Sequence, residues 1–228
     1  MKYTSEYIKY FFYLALNWNF RLAFFIIKKE IEGEKKYGLH TTGIDDLTKS
    51  MNIEEREHAS IYQPVNFYTA EKLFSHVDAI DLQGGFLDMG CGKGRVLSVA
   101  AAFGFKEITG VDFSAQLCYV ANNNAKLLKE KYPSSSITIE CEDAREYVIP
   151  KTISVIFLFN PFDDLIMGDF LKQVAKSLSE FPRRLKVLYA NPQCKKQWLN
   201  AGFTEIHSFK KMKFLEGSVL INASLQST

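Results

Sequence analysis

Apolar residues in this chain fall into two kinds of pattern. From residue 86 onward, short and nearly unbroken apolar runs alternate with longer amphipathic stretches, as expected for strands buried on both faces and the helices that cover them. The runs are Phe86 to Met89, Glu107 to Asp112, Ile137 to Cys141, Ile153 to Phe159 and Leu185 to Tyr189. Between them, helices are predicted from Arg95, from Ser114 to about Lys131, from about Gly168 to Leu178 and, briefly, around Lys195 to Leu199. Ser114 suits an N-cap, and Pro133 stops the helix that it begins. Thr204 to Lys210 and Phe214 to Ile221 lie about three residues apart and read as a terminal antiparallel hairpin. The whole is an α/β plan: a mostly parallel sheet of seven strands between helices, in three layers, with a closing hairpin.

The second pattern occupies the N-terminus. Tyr7 to Ile27 is rich in Phe, Tyr, Leu and Ile, and the placement of Glu6, Lys9, Asn17 and Arg21 predicts one long helix with a broad buried face. Asn17, Asn19 and Arg21 interrupt the segment before about 18 apolar residues accumulate, and no small-residue cleavage site follows, so neither a membrane span nor a signal peptide is expected. Three fates suit such a helix: a cap on the core, a contact in a homodimer, or a peripheral membrane helix with Lys28 and Lys29 near the headgroups. They are preferred in that order. Gly33 to Met51 reads as a connecting loop, and a helical pattern with Phe67, Leu73, Phe74 and Val77 follows Tyr62-Gln63-Pro64. Residues 1–60 therefore form a helical extension with its loop, and residues 61–228 the main domain.

The most informative stretch joins the first apolar run to the first helix. It reads LDMGCGKGRVL from Leu87, with glycines at 90, 92 and 94. Glycines there let the backbone turn sharply out of a strand and bring bare main chain against a ligand. A dinucleotide fingerprint would need its third glycine three residues after the second, where Arg95 stands, so GxGxxG fails on spacing and an NAD-dependent oxidoreductase is disfavoured. Asp112 closes the second strand in GVDFS, and Glu142, Asp143 and Ala144 follow the third. Asn160-Pro161-Phe162 ends the fourth.

Together these features resemble the class I S-adenosylmethionine-dependent methyltransferases, whose Rossmann-like fold matches the element order above. The resemblance implies S-adenosylmethionine as cofactor and S-adenosylhomocysteine as product. Gly90, Cys91, Gly92 and Gly94 would support the methionine half, with Asp88 ordering that loop or meeting the amino group. Asp112 would accept both ribose hydroxyls, since a carboxylate offers two acceptor oxygens at the spacing of a vicinal diol. Phe113 would cover the adenine, and Asp143 with the Ala144 amide would read its edge, Glu142 being the neighbouring alternative. Each strand-end aspartate also suits a simple helix cap. Tyr62 and Tyr68 are candidates to close over the cofactor, and an aromatic there is equally at home in the core.

Asn160-Pro161-Phe162 resembles the (Asn/Asp)-Pro-Pro-aromatic motif of enzymes that methylate amino nitrogens, with one proline missing. The Asn160 side-chain oxygen and the Pro161 carbonyl can accept from an amine and so orient its lone pair, while Phe162 can stack on a planar acceptor or face a cationic one. The pattern from Tyr62 to Phe162 is similar to uncharacterised bacterial-type methyltransferases distantly like the seven-stranded histone-lysine enzymes. That resemblance favours a protein lysine or another amine over nucleic-acid bases and small molecules. A non-catalytic cofactor-binding scaffold is the alternative of a different class, and intact Asn160 beside a complete glycine loop weighs against it.

Composition changes this picture little. Of 228 residues, 47% are hydrophobic and 24% charged, which suits one α/β domain with an extension. Cys91, Cys118, Cys141 and Cys194 are widely spaced, which suits a reducing compartment and a cytoplasmic location better than a disulfide framework, and the four histidines lack ligand spacing. The net charge of +2 conceals a basic edge in the last fifth, from Arg183, Arg184 and Lys186 to Lys213, with only Glu205 against it. Such an edge suits nucleic acid or an acidic partner. Because aromatics are not interleaved with the cations, a solvated face is preferred.

Overall fold

A computed structural model describes residues 4–43, 63–159 and 163–222. Its strands are β1 (Gly85–Met89), β2 (Glu107–Asp112), β3 (Ser136–Cys141), β4 (Ile153–Phe159), β5 (Lys186–Ala190), β6 (Phe203–Lys211) and β7 (Leu215–Asn222). They form one sheet of order β3-β2-β1-β4-β5-β7-β6, in which only the pairings of β7 with β5 and with β6 are antiparallel. This is the predicted plan, hairpin included. Every residue of β1 and β5 is buried, as central strands covered on both faces require.

Successive side chains of β1 feed opposite layers. Phe86 joins Phe74, Phe105 and Phe157 on one face, beneath α3 (Phe67–Phe74) and α4 (Arg95–Phe103). Leu87 and Met89 join Phe170 and Trp198 on the other, beneath α6 (Asp164–Glu180) and α7 (Lys195–Asn200). Between β2 and β3 runs α5 (Ala115–Lys131), which Ser114 caps through Leu117 N as its sequence predicts. The start of α6 lies earlier than the periodicity indicated, because the Asp163 carboxylate accepts from the amides of Leu165 and Ile166 at 3.0 Å each and caps the helix there.

The N-terminal expectation needs correction. Tyr7 to Ile27 is two helices, α1 (Thr4–Asn17) and α2 (Phe20–Tyr37), rather than one. Asn19 leaves the helical conformation, and its side chain accepts from Leu22 N at 2.8 Å, so a residue read only as a polar interruption of the apolar run is the cap of a second helix. Likewise Gly33, assigned to a connecting loop, lies inside α2, where a Cβ would sit 2.2 Å from the Phe67 ring. It lets α2 pack against α3, and Gly38, at φ +79°, ends the helix. Tyr10, Leu14, Leu22 and Ile26 form a buried cluster with Leu215 of β7, while Tyr37 and Leu39 share the cluster of Phe86.

Candidate active site

Parallel strands deliver their C-terminal ends to one edge of the sheet, and the chemistry read from the sequence collects there. After β1 the chain passes through Gly90, Gly92 and Gly94 at φ +80°, +54° and +80°, a region that side chains with a Cβ rarely enter. The Gly90 and Cys91 amides both donate to Val111 O, at 2.8 and 2.9 Å, and so fasten the loop to β2. A Cβ on Gly110 would lie 2.9 Å from Cys91 Sγ, so the closeness of loop and strand depends on a glycine that the motif reading passed over. The Cys91 thiol is buried, which raises its pKa, and it serves here as packing.

Two buried carboxylates face this loop. Asp112 accepts from Gly92 N through Oδ2 at 2.8 Å and from Ser114 N through Oδ1 at 3.0 Å. Each oxygen thus keeps one lone pair for a further donor. Burial raises the Asp112 pKa, against the lowering pull of those two amides. Asp88 is more extreme. Burial, with the nearby Asp112 charge adding to it, pushes its carboxyl well above the usual range, and its buried Oδ2 has no hydrogen-bond partner among the described residues. An unsatisfied buried acceptor costs about 1–3 kcal/mol, which a cationic donor would remove.

Beyond them the edge opens. Phe113 is 42% exposed, so its ring is available to a planar ligand. Asp112 pairs in register with Cys141, and Glu142 N donates to Asp112 O at 3.1 Å, which brings residues 142–144 beside the Asp112 strand end. Asp143 is half-buried, Ala144 is buried and Glu142 is exposed. Both Asp143 oxygens hold Arg145, at 2.6 to 3.0 Å, and this pairing keeps the carboxyl ionised below its ordinary pKa. Tyr68 packs edge-on against Phe25 and Phe209. Tyr62, Asn160, Pro161 and Phe162 lie outside the described residues.

At the ends of β4 and β5, on the same edge, is a cleft of about 280 Å³. Phe159 and Asn191 line it from the sheet, Tyr10, Leu14 and Ile26 from the α1–α2 pair, and Phe214 from the β6–β7 turn. Asn191 is held at φ +48°, an uncommon conformation at a strand end facing a cleft.

Sequence reasoning did not foresee what Arg95 does. It is buried at the start of α4, directly after the glycine loop, and its Nη1 meets Glu30 Oε2 at 2.5 Å and Val65 O at 2.8 Å. Its Nε donates to Thr41 Oγ1 at 2.8 Å and Nη2 to Thr42 Oγ1 at 3.1 Å. Glu34 in turn accepts from the amides of Thr41 and Thr42 and from Tyr7. The N-terminal helices are thereby tied to the residue that follows the loop.

The basic edge is also less solvated than expected. Lys186 is buried and paired with Asp81, while Arg184 meets Asp78 at 2.8 Å. Lys195 meets Glu205 at 2.9 Å, and Lys210 meets Glu216 at 3.0 Å. The charge run thus serves largely to join β5, the strand pair and the segment before β1.

The family model described as a methyltransferase domain matches residues 86–185, from β1 to the edge of β5. No curated protein matches the chain. Among solved structures, the glycopeptide N-methyltransferase MtfA, complexed with S-adenosylmethionine, is 10% identical with a TM-score of 0.54, over 69% of this chain and 87% of that one. An RNA methyltransferase from Salinibacter ruber, in complex with S-adenosylhomocysteine, is 15% identical at 0.51, over 73% and 96%. The protein PH0226 from Pyrococcus horikoshii OT3 is 19% identical at 0.52, over 68% and 89%. The fold is the Rossmann-like methyltransferase fold, and residues 86–185 carry the match to that domain.

Proposed function

We propose that the protein transfers a methyl group from S-adenosylmethionine to an amino nitrogen, a protein lysine first among the acceptors. The observation that carries the cofactor reading is the pair Asp88 and Asp112. One has a buried oxygen without a partner among the described residues and the other keeps two lone pairs, at neighbouring strand ends beside a left-handed glycine loop. Asp88 would take the amino group of the methionine portion, Asp112 the ribose hydroxyls, Phe113 the adenine face, and Asp143 with Ala144 the adenine edge. The cited complexes of structural neighbours with this cofactor and its product are consistent with that assignment.

When bound, S-adenosylmethionine supplies a methyl carbon activated by its sulfonium. The protein's share is alignment and water exclusion, worth roughly 7–11 kcal/mol when reacting atoms are well oriented. Asn160 and the Pro161 carbonyl would hold the acceptor nitrogen by its hydrogens, leaving the lone pair to form the new N–C bond as the S–C bond breaks. The aliphatic stem of a lysine suits the apolar wall that Leu14, Ile26 and Phe214 give the cleft.

The test is transfer of isotopically labelled methyl groups to cell extract, with labelled sites located by mass spectrometry. Label on nitrogen is expected, and Asn160→Ala should lower the rate at least about tenfold with cofactor affinity kept, because its bonds reach full value only in the aligned complex. Label confined to oxygen or carbon, or loss of cofactor binding in Asn160→Ala, would overturn the assignment.

A further inference from the structure

The inward faces of α1 and α2 are buried against each other, Leu215 of β7 and Phe67 of α3, and part of their outward faces is apolar. Ile8, Phe12 and Leu16 repeat at the four-residue spacing of one face of α1, and Phe20, Phe24 and Ile31 share one face of α2. All six are exposed, Leu16 by 82% and Phe24 by 69%. Phe11, half-buried between the helices, joins the two stripes. Its ring lies 5.6 Å from Phe12, 6.1 Å from Phe20 and 5.0 Å from Phe24, so the exposed residues make one surface rather than scattered ones. Exposed cations border it, Lys9 on α1 and Arg21, Lys28 and Lys35 on α2, and they outnumber the exposed carboxylate beside them, Glu32, which meets Lys28 at 3.9 Å.

We propose that this helical hairpin docks on an anionic lipid surface. A continuous apolar face of this kind is not left in water without use. Its border decides the occupant. A second copy of the chain would bring the same excess of positive charge to the seam, four exposed cations against Glu32. Anionic headgroups instead complement them while the aromatic face enters the acyl boundary, the usual composition of an interfacial helix. No described helix is long and apolar enough to cross a membrane, so the contact is one of lying on the surface. Trp18 and Phe214, exposed residues that also line the cleft, pack edge-on at 6.5 Å and continue the surface past the turn between the helices. The docked face and the cleft thus share Trp18 and Phe214. The docking claim stands apart from the methyl-transfer reading, which cofactor calorimetry tests separately.

Co-sedimentation of the full chain with phosphatidylcholine vesicles, with and without phosphatidylglycerol, tests the proposal. The protein is expected to pellet with the anionic vesicles at least about tenfold more readily than with the neutral ones, and less so as salt rises. The double variant Leu16→Ser/Phe24→Ser and the double variant Lys28→Glu/Lys35→Glu should each weaken that binding about tenfold with thermal unfolding unchanged. Both pairs are exposed and outside the buried clusters, so the fold is expected to survive their loss, which the thermal unfolding checks. Equal binding by wild type and both variants, or no binding to anionic vesicles, would overturn it. So would a dimer in analytical ultracentrifugation that Leu16→Ser/Phe24→Ser abolishes, since the face would then belong to a second copy.

Discussion

Asp88 is held in a place that disfavours its charge, and nothing among the described residues satisfies its buried Oδ2. Its raised pKa means that the free protein keeps the carboxyl neutral to higher pH than usual; an ammonium against it would reverse that preference and release a proton on binding. Cofactor affinity is therefore expected to rise with pH from the ordinary carboxylate range up to the raised value and to level off above it. Asp88→Asn should bind about tenfold more weakly with a flat profile. The same substitution should stabilise the free protein at neutral pH. A carboxyl whose folded pKa is raised contributes stability below its unfolded pKa and loses it as pH rises through the folded one. Calorimetry across pH, beside chemical denaturation, checks both signs; an unchanged slope and affinity would remove Asp88 from the site. The placement of Asp88, Asp112 and the three loop glycines at strand ends was legible because it is local, a strand followed by a turn. Gly110 was not, because its role depends on Cys91 across a strand pair.

At the scale of elements, the N-terminal helices are fixed by a buried ionic cluster. Arg95 serves Glu30 directly and faces Glu34 at 3.9 Å, and it stacks on Phe67 at 4.3 Å. Arg95→Met would leave two buried carboxylates without their cation, and breaking such a cluster from one side costs about 3–5 kcal/mol. Denaturant unfolding should show a loss of that order, and Glu30→Met added to Arg95→Met should restore part of it. A loss below about 1 kcal/mol would mean that α2 is held by packing alone. No sequence window contains this cluster, because its partners stand 65 residues apart. The break between α1 and α2 was misread for the opposite reason. Asn17 and Arg21 fit the polar side of one helix as well as the flanks of a turn, and only the extended backbone of Asn19 separates the two. Strands were read more reliably than helix ends, since burial on both faces marks each residue of a central strand.

For the molecule as a whole, the strand order places β3, β2 and β1 side by side, so the described residues of three separate motifs, at 88–94, 112–113 and 142–144, meet at one edge. That convergence was legible from the βαβ alternation before any contact was known. The cleft was less so, because its walls come from α1, α2 and the β6–β7 turn, segments far in sequence from the glycine loop. The central claim is that this edge binds S-adenosylmethionine through Asp112, and isothermal titration of the wild-type chain and of Asp112→Ala with S-adenosylhomocysteine tests it most directly. Saturable binding by the wild type is expected, with Asp112→Ala at least about tenfold weaker and still folded, since two hydroxyls lose their acceptor in a partly desolvated site. No binding by the folded wild type, or the same affinity in both proteins, would contradict it.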